Sequence, residues 1–472
     1  QFLNSYYNPS QAALAPLFFP TMKTEEHRVH PASHRTRSSL PLTVFDVLWL
    51  KFPPVQSIFF YALQDLSPHQ FYTVTLPRLK LSLSLTLDYF YPLAGRIVWP
   101  SDEGPAIVFD PNDSVSLKVA ESTNPEVFVT VSGTRPFKAI ETSCYIPELY
   151  SSTSEAAVMS LQVTFFPNHG VAIGMSIHHS AIDGWIALMF DKAWAHICKE
   201  VSMDCRSEKV GKSLPPELTP LLQRLVEYDP RDKGDVEKLI IKKYLPNSWN
   251  PRDMTIPPMS DLNPSLTRGT FNISRSDTEK LKKLVLAELN GRSGDAANPT
   301  LSSFVVGSAF TLKCMVEAKK LEAINVVIGS DNRQCMDLPR SENYFGNCVN
   351  FAFFTLQAEN ISVANLAERI REAIIELKKL QLPGKIVIGE IIKNGGSAVG
   401  IAGSSRFGFY DADFGWGRPL KVEISSIDRS EAISMVEARD GGRGMEVGLV
   451  LTEEQMAEFQ RLFTGGLSGL DG

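Results

Sequence analysis

The chain lacks any apolar run long enough to span a bilayer, which excludes a helical membrane protein. It lacks a CxxC pair and any metal-ligand spacing: Cys144, Cys198, Cys205, Cys314, Cys335 and Cys348 stand apart. Free thiols in a reducing cytoplasm are the simplest reading, and no metal is expected. Positive charge is in deficit, with 47 Lys and Arg against 53 Asp and Glu, net −6, which argues against a nucleic-acid surface. There is no GxGxxG and no Walker sequence, so no bound nucleotide cofactor is expected. There is no GxSxG elbow either: Gly403-Ser404-Ser405-Arg406-Phe407-Gly408 has the wrong spacing. A DFG occurs at Asp413-Phe414-Gly415, but no HRD and no phosphate-cradling glycine loop accompany it, so a kinase is excluded. No internal repeat is visible.

What is present is ordinary for a globular protein: 472 residues, 43% hydrophobic and 21% charged, enough for two or three domains with large cores. Gln1 to Thr21 has no basic region ahead of an apolar core, so a secretory signal is not expected, and residues 1–21 read as a non-native or disordered lead. His27, His30 and His34 follow in a polar, basic segment that reads as a solvated tail and not as a metal site.

The pattern beyond it mixes strand and helix. Ser57 to Leu63, Val158 to Phe166 and Val171 to His178 read as strands, the last two joined at Pro167-Asn168-His169-Gly170. Leu76, Leu79, Leu83 and Leu87 predict an amphipathic helix over 71–87. Residues 201–267 are rich in Lys, Asp, Glu and Pro and read as an irregular crossing. After it come a strand from Arg268 to Ser274, a helix opened by Ser276 or Asp277, and a helix from Thr300 to Ala318 capped by Thr300 or Ser302. Buried strands are expected at Ile324–Ser330 and Val349–Leu356, an amphipathic helix at Ser362–Leu380, strands at 420–426, 432–438 and 445–451, and a helix from Glu453.

The organising stretch runs from Val171 to Glu200. A strand ends near His178, and Ile186, Met189, Phe190, Ala193, Trp194 and Ile197 then recur at helical spacing. His178-His179-Ser180-Ala181-Ile182-Asp183 therefore lies where strand hands over to helix, a common place to present a reactive side chain. An imidazole there suits a general base, since its ordinary pKa of about 6.5 lies near working pH. Neighbouring strand side chains point to opposite faces, which makes His178 the packing histidine and His179 the candidate base. Asp183 reads either as the helix N-cap or as a salt-bridge partner for the loop.

His179-x-x-x-Asp183 near the middle, Asp413-Phe414-Gly415-Trp416-Gly417 near the end, and Tyr344-Phe345-Gly346-Asn347-Cys348 between them resemble the HxxxD, DFGWG and YFGNC motifs of plant BAHD acyl-CoA-dependent acyltransferases. The third marks the clade acting on anthocyanin, flavonoid and phenolic glucosides. Tyr91 to Arg96 resembles the family's YPLAGR turn, and the likeness runs from about Leu40 to Leu467. It implies an α/β fold of two chloramphenicol-acetyltransferase-like domains, 22–205 and 268–472, with a crossover at 206–267 and a channel at their interface.

The resemblance implies acyl transfer from acyl-CoA, malonyl favoured, to a sugar hydroxyl, with acyl-CoA as co-substrate and no bound cofactor. His179 would be the base, and Asp183 would orient the loop through a basic partner, with Asp413 acting likewise. Arg333, in Asp331-Asn332-Arg333, matches the family's D-x-R and is the expected partner of one of them. Trp416 N–H is the expected oxyanion donor, and Gly415 and Gly417 would serve backbone conformation. Tyr344 and Asn347 read either as a turn into the next strand or as substrate contacts. Ser404 and Arg406 read either as a coenzyme A phosphate contact or as exposed loop. A cytoplasmic monomer is expected. Trp185, after Asp183-Gly184, departs from the family's usual small or polar residue and would either reshape the acyl pocket or pack in the helix. Residues 380–400 lack an expected aromatic-rich stretch, and no cation for a malonyl carboxylate is evident. A hydroxycinnamoyl donor, a weak acyl-CoA-binding paralogue and a hydrolase are the alternatives.

Overall fold

A computed structural model describes residues 22–201, 213–224, 250–256, 262–293, 299–335, 341–379 and 398–471, apart from 102, 251, 431 and 443. The expectations placed on residues 1–21, on most of the crossing and on 380–397 lie outside them. The described residues form a mixed α/β fold of three sheets, and none of their helices is long and apolar enough to cross a membrane.

The first sheet runs β1 (Met22–Val29), β6 (Val115–Ser122), β9 (Met159–Phe166), β10 (Gly170–Ile177), β3 (Val55–Ala62) and β15 (Lys421–Glu423). Its centre is covered on both faces: every residue of β9 and β10 is buried, including the polar Ser160, Gln162 and Thr164 at alternate positions of β9. The β9–β10 turn is closed by Asn168, whose φ of 60° a short polar side chain tolerates. A small sheet, β2 (Ser38–Pro41), β5 (Ala106–Phe109), β4 (Arg96–Val98) and β8 (Glu155–Ala157), lies beside it in sequence.

The other sheet runs β13 (Val349–Gln357), β12 (Ala323–Asp331), β14 (Ala398–Ala402), β16 (Ile433–Glu437), β17 (Met445–Thr452), β11 (Leu266–Ile273) and β7 (Phe137–Lys138). Each half lends a strand to the other. β7, from the first half, pairs with β11, and β15, from the second, pairs with β3. A buried charge cluster ties this exchange: Arg268 on β11 donates to Glu423 on β15 and to Asp428, and Lys421 lies 2.6 Å from Glu423.

Among the helices are α1 (Val44–Val47), α2 (Leu76–Leu87), α3 (Gly184–Glu200), α4 (Arg275–Ser293), α5 (Ser303–Lys319), α6 (Val363–Lys378) and α7 (Glu453–Ser468). In α2, Leu76, Leu79, Leu83 and Leu87 are buried as their spacing predicts. The turn before it, Phe71–Thr75, is π-helical; Leu76 N–H reaches back to the Phe71 carbonyl just ahead of Pro77, which has no N–H of its own. α3 packs against α2, and the Trp194 indole donates to the Leu79 carbonyl and the Ser82 hydroxyl at 3.2 and 3.0 Å.

Several expectations need correction. The His27–His34 segment is not all solvated tail: Met22–Val29 is an edge strand, and His27 is half-buried beside Lys80 at 3.2 Å. Its Lys-Thr-Glu-Glu run reads as tail because an edge strand meets water on most of its surface. β12 buries the alternate positions Ile324, Val326 and Ile328, and β13 buries only Asn350 and Phe354, where α6 packs against both strands. The strand expected at 420–426 is three residues long and passes into a 3₁₀ turn at Ser425–Arg429. The helix after β11 starts at Arg275, where Ser274 Oγ accepts from the Asp277 N–H. Ser302 caps α5, one of the two residues foreseen.

Candidate active site

β10 ends at Ile177 and α3 begins at Gly184, and the six residues between form a turn closed by the Ala181 N–H on the His178 carbonyl. Asp183 caps α3: its Oδ1 accepts from the Ile186 N–H at 3.2 Å. Its Oδ2 accepts from the Arg333 guanidinium at 2.8 Å and the Cys348 N–H at 3.0 Å. The two sequence alternatives for Asp183 therefore hold together. The buried Nδ1 of His179 bonds to no other residue, so Asp183 does not hold it in a histidine–aspartate relay.

Arg333 is fully buried and spends its other bonds on the Tyr344 and Gly346 carbonyls and on Asp331. Burial alone would lower its pKa, but Asp183 and Asp331 outweigh that and hold it above the ordinary value. Gly346 has φ +148°, and a Cβ there would meet the Arg224 guanidinium at 2.8 Å and the Tyr344 ring at 2.9 Å.

Tyr344 and Asn347 are fully buried, so neither presents a surface to a substrate. Asn347 instead holds the His179 loop: its Nδ2 donates to the His179 carbonyl at 2.9 Å and to Asp46 Oδ1 at 3.0 Å, while its N–H donates to the same Oδ1 at 2.8 Å. Asp46, itself buried, takes the Thr43 N–H and hydroxyl on Oδ2, each at 2.8 Å. Thr43, Asp46, Asn347 and the His179 backbone thus form one chain of hydrogen bonds across the two halves.

The His179 ring is half-buried and stacks on Trp49, centroids 3.7 Å apart and planes within 2°. Phe52 meets the same ring edge-on at 6.4 Å. Nδ1 is the buried nitrogen and bonds to no other residue, leaving the Nε2 edge open. Burial pushes His179 down to about 4, against its own backbone and Asp183. His178 is buried with Nδ1 on the Ser180 hydroxyl at 2.9 Å, and burial, with His179 and Lys51, pushes it down to about 3. At neutral pH both rings are uncharged. His179 is thus a neutral, oriented imidazole with one open nitrogen, as a general base requires.

Thr43, Asp46 and Trp49 were not foreseen. A signal existed: Thr43-x-x-Asp46 opening an apolar run is a helix-capping signature, and Asp46 is a charge set among Val, Phe and Leu.

DFGWG lies elsewhere. Asp413 Oδ1 accepts from the Gly415 and Gly417 N–H groups, each at 2.8 Å, and Oδ2 pairs with Lys199 at 2.6 Å. Burial would raise Asp413, but these bonds hold it below the ordinary carboxylate range. Gly415 and Gly417 have φ of +96° and +91°, which the turn needs and other residues rarely adopt. Phe414 packs edge-on against Trp194, and Trp416 against Tyr61 at 5.5 Å. Tyr61 is the strand partner of Val171, six residues before Ile177, or about 20 Å along the strand at ~3.3 Å per residue. Lys199 is sixteen residues beyond Asp183 on α3, about 24 Å at 1.5 Å per residue. Both rulers put Trp416 at the far end of the β10–α3 unit, out of reach of an oxyanion at His179.

Ser404 and Arg406 follow β14; the Ser404 hydroxyl accepts the Arg406 N–H at 3.3 Å, and Arg406 is exposed. Phe407 of the same loop meets the Trp185 ring at 5.4 Å, and the Trp185 N–H donates to the Glu342 carbonyl at 2.9 Å. Trp185 therefore packs between α3 and two loops of the second half. Cys144, Cys198, Cys314 and Cys348 are free thiols, and no metal-ligating cluster occurs among the described residues.

Residues 20–464 match the Transferase family. Phenolic glucoside malonyltransferase 1 of Arabidopsis thaliana is 35% identical, over 93% of this chain and 96% of its own. Malonyl-CoA:anthocyanidin 5-O-glucoside-6''-O-malonyltransferase of the same plant is 34% identical, over 93% and 97%. The crystal structure of vinorine synthase superposes with a TM-score of 0.65 at 19% identity, over 94% of this chain and 98% of that one.

Proposed function

This chain belongs to the BAHD transferase family, acyl-CoA-dependent acyltransferases, and from that membership we propose that it moves an acyl group, malonyl favoured, from acyl-CoA to a sugar hydroxyl of an anthocyanin, flavonoid or phenolic glucoside. The observation that carries the reading is the neutral His179 ring, fixed from both halves of the chain with one nitrogen open.

A thioester is already activated, so no acyl-enzyme is needed. His179 Nε2 takes the proton of the sugar hydroxyl as its oxygen attacks the thioester carbonyl. The tetrahedral intermediate collapses, the C–S bond breaks, and the imidazolium returns the proton to the departing thiolate. The products are an ester and free coenzyme A. The low pKa of His179 leaves the base ready at neutral pH, and the Trp49 face favours the imidazolium as it forms, by about 0.5–2 kcal/mol. Holding both substrates beside one ring supplies proximity worth several kcal/mol. Asp183, Arg333, Asn347 and Asp46 are positioning residues that set the His179 loop. Ser404 and the exposed Arg406 suit a coenzyme A phosphate. We assign 22–205 and 268–472 as the two domains, the working form as a monomer, and the cytoplasm as its compartment, consistent with the free thiols.

The test is thiol release and product mass with malonyl-CoA and a panel of phenolic and flavonoid glucosides, beside His179→Ala. Acceptor-dependent release with a malonyl mass gain, falling at least about 10²-fold in the variant, is expected. Release without acceptor would make the protein a hydrolase and overturn the reading.

A further inference from the structure

We infer that Arg224, on the crossing between the two halves, is a positioning residue for His179 and acts through Asp46. The inference goes beyond the acyl-transfer reading above and rests on His179 being its base.

The chain of hydrogen bonds that holds the His179 carbonyl contains a buried charge. Asp46 accepts four hydrogen bonds, from the Thr43 N–H and hydroxyl and from the Asn347 N–H and side chain, and all four donors are neutral. A carboxylate out of water needs a counter-charge. Among the described residues the cation within 4 Å of it is Arg224, whose Nη1 lies 3.8 Å from Oδ2. The Arg224 side chain is 9% exposed and that of Asp46 is fully covered, so salt and water do little to screen the pair.

The rest of the guanidinium fixes the two segments that grip Asp46. Nε donates to the carbonyl of Pro41, two residues before Thr43, at 2.8 Å. Nη1 donates to the carbonyl of Phe345, two residues before Asn347, at 2.7 Å, and to the Tyr344 hydroxyl at 3.2 Å. One planar fork thus clasps both halves. The crossing's other stitches differ in kind. The Leu221 N–H donates to the Asn343 carbonyl, the Phe345 N–H donates to the Leu221 carbonyl, and the Asn343 side chain donates to the Pro216 and Thr219 carbonyls at 2.7 and 2.9 Å. These lay the crossing along residues 343–345, and Arg224 carries it to the charge. Removing Arg224 leaves Asp46 buried and unpaired. The carboxylate then moves toward water or takes up a proton, and either change reaches the His179 carbonyl through Asn347.

The test measures kcat per folded enzyme, and KM for malonyl-CoA and for one glucoside, in wild type, Arg224→Gln, Arg224→Lys and Asn343→Ala. Arg224→Gln should lower kcat about 10-fold with each KM within about 3-fold, because the base is mispositioned while the substrate walls remain. Arg224→Lys keeps the charge and should recover most of that loss. Asn343→Ala loosens the same crossing without touching Asp46, and should lower Tm with kcat within about 2-fold of wild type. An Arg224→Gln enzyme with wild-type kcat, or an equal kcat loss in Asn343→Ala, overturns the inference. If Arg224→Gln does not fold, the charge-neutral pair Asp46→Asn with Arg224→Gln should, at a kcat within about 2-fold of Asp46→Asn alone. A further fall of about 10-fold in the pair would mean a route other than Asp46 and overturns the inference as well. Transfer that survives His179→Ala overturns the reading beneath it.

Discussion

The β10–α3 unit carries a signature aspartate turn at each end, and the two turns differ in what they hold. At one end Asp183 is buried, faces a buried Arg333 from the other half of the chain, and fixes a loop that bears an imidazole. At the other, Asp413 is half-exposed, faces a half-exposed Lys199, and closes a glycine turn whose aromatics pack on Trp194 and Tyr61. Both use a carboxylate to organise backbone N–H groups. Only the first presents a titratable group with an open nitrogen. A motif that is easy to recognise in sequence is thus not by that fact a place of chemistry; DFGWG pins the C-terminal segment onto the unit whose opposite end carries His179.

The comparison sharpens most under removal of one buried charge. Arg333→Ala leaves Asp183 buried and unpaired, which costs about 3–5 kcal/mol, so a large fall in Tm or no soluble protein is expected in thermal melts. Lys199→Ala, at the exposed pair, should change stability by no more than about 1 kcal/mol. Equal losses at both ends would break the distinction. Next in size, Asn347→Ala releases the His179 carbonyl and strips a partner from Asp46; kcat should fall roughly 10-fold or more with KM little changed, because the base is mispositioned while substrate walls remain. A rise in KM alone would return Asn347 to substrate contact.

The pH profile separates the ends more gently. His179 must be neutral to accept a proton, and its pKa is held near 4, so kcat/KM should be level from neutrality down to about pH 5 and fall only below that. An acid limb near 6.5 would mean a hydrated, ordinary imidazole. Stability has the same sign: His178 and His179 bind protons more readily unfolded than folded, so stability is full above about pH 6.5 and declines as pH falls toward 4.

Much of this was legible in sequence where the signal is local. The leucine spacing of α2, the apolar run of β10 and the Asp183 cap follow from periodicity and helix-start chemistry. What could not be read is non-local. β7 and β15 have two and three residues, and nothing within them says that they cross to the other half's sheet. Trp49 lies 130 positions before the ring it stacks on, and no periodicity links them. Asn347 reads as turn or contact alike until Asp46 is seen beneath it. Trp416 was assigned to catalysis from its motif, and only the strand register and the length of α3 put it at the wrong end.

The most direct test is the single-turnover rate of acyl transfer in Trp416→Phe beside His179→Ala, each at saturating acyl-CoA and glucoside. Phenylalanine keeps an aromatic ring against Tyr61 and removes the indole N–H. The account predicts that Trp416→Phe stays within about 3-fold of wild type while His179→Ala loses at least about 10²-fold. A loss in Trp416→Phe approaching that of His179→Ala, in protein with unchanged Tm, would place the chemistry at both ends and contradict it.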